Sequence, residues 1–235
     1  MSSHQTEHHI DYQKLGQLAD EFTALWKRMH ALYLDGAAGF SLLHARVVSS
    51  QSRARSFVVD TELDSEAFQD TRMFAYEDIF AGEFCTSGIS RSTQGDLKAR
   101  NSPDGENLVA LGQLCVTSFY DYWQEYLREE VVRARGLLLE GIDNETKQRI
   151  LREKGAHDLW GDLRILRNAI VHKRGVATSD VGRCRLIKWF KPGDPITLTA
   201  EHMRMIFLAL LRYRNELFKQ QFPPREFRVM RKSEI

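Results

Sequence analysis

The chain has 235 residues, 43% of them apolar and 28% charged, with a formal net charge of +1. That length allows one large domain or two small ones with ample core, and the near-neutral balance singles out no class of partner. No stretch approaches the roughly 18 uninterrupted apolar residues of a membrane span. Three widely spaced cysteines, Cys85, Cys115 and Cys184, lack CxxC spacing, which argues against a disulfide framework or zinc site and fits a reducing, cytoplasmic setting.

The start, MSSHQTEHHI, lacks the basic-then-apolar pattern of a secretory signal and reads as a frayed terminus. Its His4, His8 and His9 form at best a weak metal site. Residues 10–34 place Ile10, Leu15, Leu18, Phe22, Leu25, Trp26, Met29 and Leu32 at spacings of three and four, predicting an amphipathic helix that Asp35-Gly36 stops. Residues 38–58 suit helix or strand, with helix the preferred reading, and 64–80 predict a short helix. Residues 86–107, dense in Gly, Ser, Asn and Pro, predict a long loop. Its GISRSTQG lacks the Gly-Lys-Ser/Thr ending of a phosphate loop.

A long helix is expected over 105–135, with Leu108, Leu111, Cys115, Phe119, Trp123 and Tyr126 as its apolar seam. A short helix and turn should follow, then a helix over 157–173 ended by Gly175. RCRLIKWF and KPGDPITLT predict two short strands around a Pro-Gly turn near 184–199. Thr199 should cap a last helix over 200–221, which Pro223-Pro224 end. Charge is uneven: residues 1–80 hold 7 Lys/Arg against 12 Asp/Glu, and residues 144–191 hold 12 against 5. The basic excess surrounds the 157–173 helix. It suits a phosphate backbone or simply a solvated helix face.

On that helix Leu159, Leu163, Leu166 and Ile170 share one face at 100° per residue. Trp160, Val171, Ile165 and Ala169 widen it, leaving a narrow polar arc of Arg164, Asn168 and His172. Arg167 falls among the apolar residues, where an unpaired guanidinium is costly. Three roles compete for it: pairing with a carboxylate of a neighbouring helix, snorkelling along Trp160, or facing a partner or substrate. His172 is either a structural residue at the helix end or an acid–base group working near neutral pH.

The stretch DLRILRNAIVHKRG resembles the signature of HEPN (higher eukaryote and prokaryote nucleotide-binding) domains: an Arg, a polar residue, a short spacer and a His. Arg167, Asn168 and His172 match it. So does the setting, late in a helix, after a long aromatic-bearing helix and before a final amphipathic one. The resemblance covers roughly 105–222. It implies a mainly α fold, a HEPN-type helical bundle over 101–222, to which the pattern reading adds the small β element near 184–199. Residues 1–100 show no match to it; their amphipathic first helix and acidic balance suggest an N-terminal helical region packed on the bundle, and 223–235 read as a basic tail.

The resemblance further implies a metal-independent ribonuclease site needing no cofactor, in a homodimer whose motif helices meet across a two-fold. By the helical wheel, Arg167 and His172 are about 140° and 7.5 Å apart along one helix and do not easily converge on one phosphate, whereas two symmetry-related copies could bring an Arg of one near a His of the other. His172 would act as base or leaving-group acid, Arg167 would grip phosphate oxygens, and Asn168 would orient either group. Asp121 or Glu125 would supply the family's carboxylate, with Asp121 preferred. Alternatively, these acids pair with Arg128 or Arg164 on the helix surface. Arg164 is a further supporting candidate, and Lys173 and Arg174 would hold RNA. The family's Lys/Arg neighbour to the carboxylate is not cleanly present, and many HEPN domains are non-catalytic. Two expectations stand: a toxin or phage-defence endoribonuclease with RNA as substrate and an antitoxin or larger defence complex as partner, or a non-catalytic module binding RNA, nucleotide or protein.

Overall fold

The computed structural model describes residues 9–55, 65–75, 91–138, 141–220 and 222. The expected frayed terminus with His4 and His8, the stretch 76–90 with Cys85, and the tail from 223 onward lie outside these residues. The described chain is mainly helical. Its elements are α1 (Tyr12–Arg55), α2 (Glu66–Thr71), β1 (Met73–Ala75), β2 (Arg91–Thr93), α3 (Gln94–Arg100), α4 (Glu106–Tyr122), a π turn (Trp123–Leu127), α5 (Arg128–Ala134), α6 (Asn144–Lys154), α7 (Asp158–His172), a 3-10 turn (Ser179–Arg183) and α8 (Ala200–Gln220). No described helix is long and apolar enough to cross a membrane.

The first helix runs 44 residues, straight through Asp35-Gly36, and unites the two segments the sequence divided there. Gly36 serves packing rather than termination. A Cβ at this position would lie 2.6 Å from Leu111 Cδ2 of α4, so the missing side chain lets the two helices approach closely. That approach offsets the cost of about 1 kcal/mol for glycine inside a helix.

The main core forms where α1, α4, α7 and α8 meet. Phe22 lies 6.3 Å from Phe119, 6.1 Å from Trp160 and 5.7 Å from Tyr213 by ring centroids, the last two edge-on. Such tilted and edge-on pairs add about 0.5–1.5 kcal/mol each beyond the area they bury. Trp123 stacks on Trp160 at 5.2 Å. Polar links tie α8 to α1: Trp26 Nε1 donates to the Phe207 carbonyl at 3.0 Å, and Arg214 Nε donates to Thr23 Oγ1 at 2.9 Å. Farther along α1, Val47, Phe74 and Leu97 make a small separate core. Beside it Lys98 Nζ pairs with Glu66 at 2.6 Å and Asp70 at 2.8 Å. Val132, Leu138 and Leu151 make a third between α5 and α6.

Further expectations are corrected: the helix expected over 64–80 is confined, in its described part, to α2 and gives way to β1. The loop over 86–107 contains β2 and α3 in its described part, with Thr93 Oγ1 capping α3 by accepting from Asp96 N at 3.1 Å. The described sheet is not near 184–199. It pairs β1 with β2, antiparallel, Met73 opposite Thr93. Around 184–199 the backbone is engaged otherwise. The amides of Arg185, Leu186 and Ile187 donate to the Asp162 carboxylate at 2.9, 2.6 and 2.8 Å, and Pro192 and Pro195 have no N–H to offer a ladder. One isolated bridge, Val176 to Pro195, remains there.

Candidate functional site

Helix α7 is capped by His157, whose Nδ1 accepts from Leu159 N at 3.2 Å, and its apolar seam (Leu159, Trp160, Leu163, Leu166, Ala169) is buried. That seam packs α7 against α4. The packing brings the last two turns of α7 alongside the α4 surface that carries Asp121.

Arg167 lies half-buried between two partners. Its Nε is 3.3 Å from Asp121 Oδ1. The Nε–H is not aligned on that oxygen for a hydrogen bond, so the contact is an ion pair rather than a directed bond. At the far end of the guanidinium, Nη1 lies 2.9 Å from His172 Nε2. A guanidinium has donors only, so Nε2 accepts this bond and the ring proton resides on Nδ1. Carboxylate, guanidinium and imidazole thus form a row across the α4–α7 boundary.

This geometry corrects the helical-wheel argument. Arg167 and His172 do converge from a single helix, because the long arginine side chain spans the turn between them. Asp121 is also the acid that meets the motif. Glu125 is exposed and forms no ion pair among the described residues. Of the three roles left open for Arg167, pairing with a carboxylate of a neighbouring helix is present.

Asn168, Arg164, Lys173 and Arg174 are exposed, as is His172. The chain leaves the helix through two left-handed residues, Arg174 at φ 54° and Gly175 at φ 75°. Only the second is free of steric cost. Lys173 N and Gly175 N both donate to the Ala169 carbonyl, at 3.1 and 3.0 Å. Gly175 O then accepts from Ile196 N at 2.6 Å, and Ile196 O accepts from Gln113 Nε2 at 3.0 Å. The turn carrying Lys173 and Arg174 is therefore tied back to α4.

Compared with known protein families, curated proteins and solved structures, the chain gives no significant match. The site rests on its own geometry.

Asp162 and Tyr120 escaped the sequence reading, and Arg128 entered it only as a possible partner of Asp121 or Glu125. Asp162 is 2% exposed and anchors 185–187 to α7 through its three amide bonds. Its signal was available: a lone acid inside an apolar run. Tyr120 is buried with its hydroxyl donating to Gln124 Oε1 at 3.1 Å. Burial raises its pKa above the usual tyrosine value, against the opposing pull of Arg164, Arg128 and Arg167. Arg128 opens α5 just after the π turn and donates its backbone N–H to the Trp123 carbonyl. Such turns occur often at functional sites, and periodicity alone does not reveal one. Among the described residues no group of three or more His, Cys, Asp or Glu is placed to hold a metal ion.

Proposed function

We propose that the protein is a metal-independent endoribonuclease of the HEPN type, acting as a toxin or phage-defence effector. The observation that carries this reading is the exposed contact between Arg167 Nη1 and His172 Nε2, with Asp121 behind the guanidinium. An acid–base group and a phosphate-gripping fork stand side by side at the surface.

RNA brings its own nucleophile. A scissile phosphate takes over Arg167 Nη1, which frees the Nε2 lone pair. His172 then accepts the 2′-hydroxyl proton, O2′ bonds to phosphorus, and the P–O5′ bond breaks. O5′ takes a proton from His172 of a second copy, which enters the step as an imidazolium and leaves it neutral, while the first His172 ends protonated. The products are a 2′,3′-cyclic phosphate and a 5′-hydroxyl, and Arg167 offsets the charge that grows on the phosphate oxygens. The active form is a homodimer through α7. Val171 and Val176, which flank His172 in sequence, are 48% and 43% exposed and supply apolar contact for it. Asn168 orients the reacting groups, Arg164 supports them, and Lys173 and Arg174 hold the flanking strand.

The test is a fluorescent single-stranded RNA incubated with the protein in EDTA. Cleavage is expected to fall by about 10²–10⁴ in His172→Ala and by about 10²–10³ in Arg167→Ala. A second reading, a non-catalytic module binding RNA, nucleotide or protein, draws on the Asp121–Arg167 pair, which already neutralises the arginine. Intact RNA bound tightly by the wild type would select it.

A further inference from the structure

A cleft of about 1040 Å³ opens on the N-terminal half of α7, away from His172. The π turn, α5 and α6 form its walls, and the 3-10 turn and the segment after it close one side. Five arginines line it (Arg128, Arg152, Arg164, Arg183 and Arg185) against two aspartates, Asp158 and Asp162. Both aspartates are already engaged. Asp162 holds the three amides described above, and Asp158 pairs with Arg185 Nη1 at 2.9 Å. Arg183 pairs with Asp180 at 3.1 Å. Arg128, Arg152 and Arg164 make no ion pair with any carboxylate among the described residues.

Arg128 makes the strongest case for a missing anion. Its Nε is buried without a hydrogen-bond partner. Its guanidinium carbon stands 5.0 Å over the Trp123 ring, and burial holds its pKa below the usual arginine value. Glu125 and Glu129 offset part of that lowering through space, but neither pairs with Arg128 directly; a partly desolvated cation is costly, and a bound anion would complete its neutralisation. Guanidinium forks match phosphate oxygens two at a time. The cleft is as large as the roomier small-molecule sites, which run to about 1,000 Å³. Trp123 and Trp160 are 7% and 0% exposed, so their rings are committed to the core and offer no stacking face. Recognition must therefore come through charge.

We infer that this cleft is a binding site for a cluster of phosphate groups, borne by the triphosphate of a nucleotide or by the backbone of an RNA strand. The inference does not rest on the ribonuclease reading, although Tyr120 joins the two regions: it lines the cleft and also lies in the field of Arg167.

Calorimetric titration at low salt with inorganic tripolyphosphate, ATP and a short single-stranded RNA tests it. Tripolyphosphate is expected to bind, and its affinity to fall at least ten-fold in the Arg152→Gln, Arg164→Gln double variant. Both side chains are exposed, so the variant is expected to keep the wild-type circular dichroism spectrum. His172→Ala, outside the cleft, is expected to leave tripolyphosphate affinity within two-fold. ATP binding more tightly than tripolyphosphate would identify a nucleotide ligand, and RNA binding more tightly than either would identify a strand path; both uphold the cleft. No tripolyphosphate binding, or binding undiminished in the double variant, overturns the inference. Loss of binding in His172→Ala alone would move the anion to the motif instead. An absence of RNA cleavage would leave this result untouched.

Discussion

Asp121 of α4 stands 3.3 Å from Arg167 of α7, so the motif arginine is steered by a helix that precedes it by more than thirty residues. The Asp121 side chain is 47% exposed, and an ion pair that open to water contributes less than about 1 kcal/mol. Its effect should appear in activity. Asp121→Asn is expected to leave the melting temperature nearly unchanged while lowering kcat roughly ten- to hundred-fold, the cost of misplacing a positioned group. KM should stay constant or fall, since the substitution removes a negative charge beside the proposed RNA site. Steady-state kinetics separates this from a purely structural role, which would lower stability and leave kcat alone.

Asp162 should matter in the opposite way. It is 2% exposed and accepts three backbone amides. Asp162→Ala would leave all three without their acceptor, Ile187 in a buried setting and Arg185 and Leu186 in a partly buried one. The expected loss is about 3–5 kcal/mol, read from urea denaturation. Asp162→Asn keeps one acceptor oxygen and should lose less. A loss below about 1 kcal/mol for Asp162→Ala would mean that these amides find other partners.

Stability should also fall on the alkaline side. Burial pushes the Cys115 and Cys184 thiols up to about 11, with Asp162 and Asp180 adding to the rise at Cys184. In the unfolded chain both thiols titrate about two units lower. Below that range the thiols are protonated in both states and their contribution is fully present. As pH rises from about 9 to 11 the unfolded chain releases protons that the folded chain retains, and stability declines. Burial raises Tyr33, Tyr122 and Tyr213 to about 12, which extends the decline upward. The urea midpoint is expected to drop steadily over this window, and Cys115→Ala should make the drop shallower. A flat profile would contradict the burial of these groups.

Much of the helical framework could be read from the chain because its apolar spacing is regular. The seams of α4, α7 and α8 repeat every three or four residues, and the end of α7 at Gly175 follows from the backbone freedom of glycine. What escaped reading depends on tertiary contact. Gly36 carries the local signature of a helix stop, and only the presence of Leu111 makes it a packing residue. RCRLIKWF carries the pattern of a strand, yet Asp162, more than twenty residues earlier, takes the amides that a ladder would use. At the site, the residue types and spacing singled out Arg167 and His172, but a wheel of Cα positions cannot register the reach of an arginine side chain. The cleft lay beyond any motif, since its arginines come from four separate parts of the chain.

The central claim is that Arg167 and His172 cleave RNA through its own 2′-hydroxyl. Mass spectrometry of the fragment ends, after incubating RNA with the protein in EDTA, tests this most directly. The account predicts 2′,3′-cyclic phosphate and 5′-hydroxyl ends from the wild type, and neither from His172→Ala. Fragments ending in 5′-phosphate, or equal cleavage by the wild type and His172→Ala, would contradict it.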